Sequence, residues 1–143
     1  MSYTYGGITA TTDITQLPYL NVLKFTAIDG NVTLTFSNTT PIFYKSTDNE
    51  TWESWNGSAI TLESNNSIYI KGENTTISID GITRYFQSSG EGKLKCEGNV
   101  MGLLGDNITE ITSEFCFTGL FYRCPNLITS PELPATTLTT SCY

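Results

Sequence analysis

Between Leu20 and Gly98, apolar and polar residues take turns along the chain. In "VTLTFS" the apolar Val32, Leu34 and Phe36 are separated by threonines. A two-residue period puts those three side chains on one face of a β-strand. "LNVLKFTAI" repeats the pattern with Leu23, Phe25 and Ala27, and "DGN" at Asp29 to Asn31, between the two runs, is a hairpin turn. "PIFYKS", "AITL", "SIYIKG", "TISI" and, as the last, "GKLKCEG" read as further strands, with Asn, Ser and Gly turns between them. About seven or eight short strands at spacings of roughly 8–12 residues predict a small antiparallel β-sandwich. It is placed over residues 19–98.

After Gly98 the pattern changes. Met101, Leu103 and Leu104 form a short apolar cluster. Phe117, Leu120, Phe121 and Cys124 fall at i, i+3, i+4 and i+7, which is one face of a short helix, and "PNL" stops it. Leu127, Leu133 and Leu138 then punctuate an extended stretch broken by Pro131 and Pro134. Cys116-Phe117 and Cys142-Tyr143 lie 26 residues apart, and a period of roughly 20–50 residues is the mark of a solenoid. One such unit cannot bury both of its stacking faces. The pattern therefore predicts that residues 99–143 lead from the sandwich into the first unit of an array that continues past Tyr143. Residues 1–18 read as a polar arm. Tyr3, Tyr5 and Leu17, together with Tyr19, are its candidate docking side chains.

The closing segment "GLFYRCPNLITSPELPATTLTTSCY" resembles the repeats of BspA-like leucine-rich-repeat surface proteins of gut bacteria and their phages. Leu120-Phe121, Cys124 and Leu127 match the first part of that repeat. Pro131 to Thr137 with Leu138, and then Cys142-Tyr143, match the second. The likeness is specific over about the last 30 residues. "LKFTA", "FYKSTDNETW", "IYIKG" and "EGNVMGLL" are similar, more loosely, to the β-domain that often precedes such repeats. Relatives commonly carry a glycine in the turn before the tryptophan, where this chain has Asn49-Glu50. The resemblance implies a leucine-rich-type repeat whose core is Phe117, Leu120, Phe121, Cys124, Leu127, Leu133 and Leu138. It implies an elongated scaffold for adhesion, partner binding or virion decoration, and brings no catalytic residues.

Composition narrows the function classes. Aromatic residues at 12% are enough for a core, and charged residues are few at 15%. The net charge is −7, and the five lysines and two arginines look scattered along the chain. Nucleic-acid binding and attraction to an anionic membrane both need clustered cations, so both are set aside. Histidine is absent, which removes the commonest general base and metal ligand. The N-terminus has neither a basic stretch nor an apolar stretch of the signal-peptide kind, and no run has the length of a membrane span. A protein used without export, or one whose leader has been removed, is expected. Cys96, Cys116, Cys124 and Cys142 form no C-x-x-C pair, which speaks against zinc. They are expected to be small buried hydrophobes.

The chemical alternatives are weak. "STDNETW", Ser46 to Trp52, resembles an Asp-box one residue short. Such a box is a structural hairpin whose Asp binds turn amides, and sialidases need clustered arginines, whereas here Arg84 and Arg123 stand alone. Asp48, Glu50, Glu53 and Glu97 are the candidate glycosidase carboxylates, with Glu50 at a hairpin tip where a solvated carboxylate is the default. A cysteine nucleophile would lack its base. Calcium has oxygen donors at Thr47 to Glu50 and Gly105 to Asn107, although turn formation is their commoner use. Of the aromatic residues Trp52, Trp55, Tyr69 and Tyr85, the first and third are expected in the core. Trp55, beside Asn56-Gly57, is the candidate ligand contact. Sequons at Asn31, Asn38 and Asn74 follow from composition.

The expected fold is thus mostly β, a small antiparallel β-sandwich followed by the start of a leucine-rich-repeat solenoid. The expected protein is a structural and adhesive one without catalysis or cofactor. A phage head or tail fibre or decoration subunit comes first, assembled in the host cytoplasm and displayed on the virion surface. Its partners would be other virion proteins, further copies of itself, and a host receptor or glycan. A bacterial cell-surface adhesin lacking its leader comes second, and a carbohydrate-binding or hydrolytic module third.

Overall fold

A computed structural model describes residues 2–5, 8–11, 21–37 and 40–142. The chain is mostly β, with strands β1 (Ser2–Tyr5), β2 (Ile8–Thr11), β3 (Leu23–Ile28), β4 (Val32–Phe36), β5 (Phe43–Ser46), β6 (Glu53–Trp55), β7 (Ile60–Leu62), β8 (Ser67–Gly72), β9 (Phe86–Gly90), β10 (Lys93–Gly98) and β11 (Leu127–Thr129). A 3-10 turn covers Val100–Leu103, and the Asn99 side chain caps it by accepting from the Met101 amide at 2.7 Å. No helix among the described residues is long and apolar enough to cross a membrane.

The strands form two main sheets. One has six strands in the order β11-β10-β3-β8-β5-β6, and the other has three in the order β7-β4-β9. All pairings in both are antiparallel except β10 with β11, which is parallel. β1 and β2 pair separately as an antiparallel hairpin, which carries Tyr3 and Tyr5. Leu17 and Tyr19 lie outside the described residues.

The alternation in the sequence sets the layers. Leu23, Phe25 and Ala27 of β3 and Ile68 and Ile70 of β8 face inward, as do Val32, Leu34 and Phe36 of β4. The two inner faces meet through aromatic rings. Phe86 of β9 lies 4.9 Å from Phe25 and 5.0 Å from Phe36, centroid to centroid, and stacks on Trp55 and Phe121 at 6.3 and 5.8 Å. Fully burying such a ring stabilises the fold by about 1.5–3 kcal/mol, with more from well-oriented aromatic pairs. The C-terminal segment belongs to this same core: Phe121 packs on Phe25 and Phe86, and Leu103, Ile111, Cys116 and Leu120 are buried with them.

Several elements differ from the sequence reading. "TISI" (76–79) is not a strand. Ile77 is buried, its amide bonds to the Cys116 carbonyl, and Ile79 makes only an isolated bridge to Ile82. β6 and β9 escape the alternation rule because tertiary pairing makes them: in β6 only Trp55 is buried, and β9 ends in "SSG". "GKLKCEG" is not the last strand, since β11 follows and pairs with it. The helix expected over 117–124 is a run of successive turns closed by i to i−3 bonds, from Thr118 to Phe115, Leu120 to Phe117, Tyr122 to Gly119 and Cys124 to Phe121. Phe115 and Gly119 take φ of 59° and 67°, left-handed values that no α-helix contains. The apolar face survives without the helix: Phe117, Leu120 and Cys124 are buried and Phe121 is half-buried.

Candidate functional site

The backbone passes one place three times. The amides of Ile77 and Ser78 donate to the Cys116 carbonyl at 3.2 and 2.8 Å, and the Phe117 amide donates to the Cys142 carbonyl at 2.9 Å. The second contact runs parallel, since the Phe115 amide also donates to the Thr140 carbonyl at 3.2 Å. Parallel bridges join Gln87 to Arg123, Asn99 to Glu132 and Glu110 to Thr137. Threonine side chains repeat the tie: Thr136 Oγ1 donates to the Thr109 carbonyl and Thr139 Oγ1 to the Ser113 carbonyl, partners 27 and 26 residues apart. The 26-residue echo of Cys116 in Cys142 is therefore a spatial neighbour relation between two coils.

Asn126 clamps the later coil to the β9–β10 hairpin. Its Nδ2 donates to the carbonyls of Gly90 and Gly92 at 3.0 and 2.8 Å, and its Oδ1 pairs with Ser88 Oγ at 3.0 Å. Asn74 makes a similar clamp on the earlier coil, donating to the carbonyls of Ile42 and Leu103, each at 2.8 Å. An amide side chain suits this work because it offers two donors and an acceptor to the backbone and side-chain groups around it.

Several apolar side chains of the later segment are open to solvent. Ile128, Leu133 and Leu138 are exposed, the last by 58%, and Tyr122 by 75%. Leu127 is half-buried. Of the seven side chains expected in a repeat core, Phe117, Leu120 and Cys124 are buried and Phe121 and Leu127 half-buried, while Leu133 and Leu138 are exposed. A cavity of about 390 Å³ opens beside Leu133, walled by Val100, Phe117, Leu120, Phe121 and Pro131.

All four cysteines are free and buried. Burial pushes the Cys124 thiol up to about 11, and its Sγ donates to the Phe86 carbonyl at 3.3 Å. Burial, and after it the neighbouring Cys124, holds the Cys96 thiol well above its ordinary value. Cys116 is likewise raised by burial. Burial thus favours the neutral thiol at Cys96, Cys116 and Cys124.

The Asp48 turn is a structural hairpin. Asp48 Oδ1 accepts from the amides of Glu50 and Thr51 at 2.8 and 2.7 Å and from Ser46 Oγ at 2.7 Å. Ser46 Oγ in turn accepts from the Asn49 amide at 2.9 Å, and Asn49 sits at φ 62°. Those donors, the Thr51 and Glu50 amides first, hold the carboxyl well below the usual range for Asp. Of the other candidate carboxylates, Glu53 pairs with Lys45 and Glu97 with Lys95, both at 2.9 Å, and Glu50 is exposed at the hairpin tip.

The tryptophans exchange their expected places. Trp55 is 3% exposed, packs on Phe43 and Phe86, and donates Nε1–H to the Ser58 carbonyl at 2.9 Å, so it is not the surface ligand contact. Its position opposite Phe43 in the β5–β6 pair turns it inward. Trp52 is only half-buried, with Lys71 Nζ 4.3 Å from its ring centroid, and Tyr69 is half-buried under Lys24. Tyr85 packs edge-on against Tyr122, with Arg123 beside both rings. The Lys71–Trp52 and Lys24–Tyr69 pairs escaped the sequence reading. The alternation in "LKFTAI" and "SIYIKG" does put the lysines and Tyr69 outward, but the strand register is what brings them together.

The chain matches no family model, no curated protein and no solved structure.

Proposed function

We propose that this protein is a non-catalytic structural and adhesive subunit, whose C-terminal coils belong to a leucine-rich-type solenoid and whose β-sandwich-like body carries them. The observation that carries this reading is the coil-on-coil register at residues 77, 116 and 142. Hydrogen bonds between neighbouring passes, here 39 residues apart from Ile77 to Cys116 and 25 from Phe117 to Cys142, are the construction rule of solenoids, in which each unit is covered by its neighbour. The exposed Ile128, Leu133 and Leu138 are side chains that a further like coil would cover, from the same polypeptide or from a neighbouring copy. The resemblance of residues 119–143 to BspA-like repeats assigns such proteins to surfaces. We place this one on a phage virion as a fibre or decoration subunit.

Two measurements test the reading. Sedimentation of the 143-residue chain over a micromolar range should show concentration-dependent association, abolished by Leu133→Glu with Leu138→Glu. A wild type that stays monomeric throughout removes the stacking role. In the source organism, antibodies against residues 21–98 should label purified phage particles; labelling confined to the cell envelope would replace the virion subunit with a cell-surface adhesin.

A further inference from the structure

The seven cations of the chain have different surroundings. Lys45, Lys93 and Lys95 are ion-paired with Glu53, Asp29 and Glu97. Lys24 and Lys71, which share the outer face of the six-stranded sheet with Lys93 and Lys95, lie over the rings of Tyr69 and Trp52. Arg84 is buried and donates from Nη1 to the Ile77 carbonyl at 2.7 Å. Arg123 differs. It is exposed, and among the described residues its guanidinium meets no carboxylate and no hydrogen-bond acceptor.

Arg123 is nevertheless held in place. Its carbonyl accepts from the Ser88 amide at 3.0 Å, and its bridge to Gln87 sets its backbone against β9. Its guanidinium carbon lies 5.8 Å from the centroid of the Tyr85 ring and 5.9 Å from that of Tyr122, and the two rings meet edge to face at 6.0 Å. Tyr85 is itself fixed, since its carbonyl accepts from the Ser37 amide at 2.9 Å and its amide donates to Ser37 Oγ at 3.0 Å. Ring contacts attract the cation without consuming an N–H donor, so the planar fork stays available to an acid. A cleft of about 480 Å³ opens beside it, walled by Gln87, Ser88, Tyr122, Arg123 and Pro125, with no carboxylate among those walls. The Gln87 side-chain amide and the Tyr85 and Tyr122 hydroxyls also have no hydrogen-bond partner among the described residues.

We infer that this cleft binds an acidic side chain, aspartate or glutamate, presented by a partner protein, with Arg123 as its anchor. A guanidinium meets a carboxylate through two parallel N–H···O bonds. Charge complementarity selects the partner. In a chain of net charge −7, an acidic segment is repelled by most of the surface, so an exposed arginine with no acid of its own sets where that segment settles. Tyrosine and arginine are also the side chains that dominate binding energy at protein interfaces. Other anions fit less well. A phosphate dianion is held by clustered arginines, and here there is one. A carboxylated sugar needs an open ring face to stack on, whereas these rings are turned edge to face with the arginine beside both. The inference does not rest on a further coil stacking on the C-terminal segment.

Nitrogen-resolved NMR of the full chain tests it. The chain has two arginines, so two guanidinium Nε–H signals report on the site directly at mildly acidic pH, where exchange with water is slow. The probe is a capped peptide of alternating glutamate and serine, and the control peptide carries glutamine for every glutamate. The Arg123 signal, identified by its absence from Arg123→Gln, should move saturably with the glutamate peptide up to about 5 mM and stay in place with the control. The Arg84 signal should not move. The response should weaken from about 0.05 to about 0.5 M salt, as screening dictates. Read through the backbone amides of Gln87 and Tyr122, Arg123→Gln should weaken binding by about fivefold or more, and Arg123→Lys, which keeps the charge without the fork, by less. Lys71→Met, away from the cleft, should leave binding unchanged. Arg123 is exposed, so urea midpoints of its variants should equal wild type; if one shifts, the Arg123 signal of the unmodified chain decides. No saturable movement, equal movement with the glutamine peptide, a tighter response to inorganic phosphate, sialyllactose or oligodeoxythymidylate than to the glutamate peptide, or indifference to Arg123→Gln would each overturn the inference.

Discussion

The amide of Phe117 donates to the carbonyl of Cys142 at 2.9 Å, and the residue before Phe117 accepts from Ile77 and Ser78. Cys116 thus sits in the middle of three stacked passes of backbone. The burial of its side chain depends on both neighbours, and so does the order of the segment between them.

Leucines on the two sides of the last coil should therefore behave differently. Leu120 is buried beneath it, and Leu120→Ala should cost about 2–5 kcal/mol in urea unfolding. Leu138 is exposed, and Leu138→Ala should stay within about 0.5 kcal/mol of wild type for the monomer. Equal costs would mean that the outer edge is packed after all.

Phe86 touches five aromatic rings, those of Phe25, Phe36, Phe43, Trp55 and Phe121. Phe86→Ala should cost about 3–5 kcal/mol. Near-ultraviolet circular dichroism should lose the Trp55 signal in the same variant, because the indole stacks on the missing ring.

Gly102 has no room for a side chain, since a Cβ there would strike the carbonyl of Asn21. Gly102→Ala should lower the urea midpoint although alanine favours helical turns. A neutral result would show that the 3-10 turn can shift away from Asn21.

Asp48 makes stability depend on acid. Its folded carboxyl is held below the ordinary range, while the unfolded one titrates near about 3.9. The contribution is present above that unfolded value and is lost as pH falls below it toward the lowered folded value. Thermal melts from about pH 6 down to about pH 2 should show a steeper loss for wild type than for Asp48→Ala.

The thiols act at the other end of the scale. Cys124 is raised to about 11 in the fold, so its neutral form is favoured there. Its contribution is complete below the ordinary thiol value of 9.0 and is lost as pH rises toward about 11. Ellman's reagent at pH 8 should react slowly with the native chain and rapidly in urea, since all four thiols are buried.

Much was legible in residue order because strand faces follow a local rule. Period-two alternation needs only neighbouring residues, so β3, β4 and β8 and their inward side chains could be read directly. The serine and aspartate of "STDNETW" likewise bond to turn amides at most three residues away. Other features depend on partners distant in the chain. β6 and β9 exist because β5 and β4 pair with them, and "TISI" is drawn out of any sheet by the Cys116 carbonyl. Phe115 and Gly119 break a face that the sequence alone presents as helical, since nothing local announces a left-handed turn at a phenylalanine. Trp55 turned inward and Trp52 outward according to β5–β6 register. The gathering of Lys24, Lys71, Lys93 and Lys95 on one face came from strands up to 71 residues apart in sequence being laid side by side. What the residues determine by themselves is which side of its own strand each points to; which other strands share that side is settled only when non-local hydrogen bonds choose the neighbours.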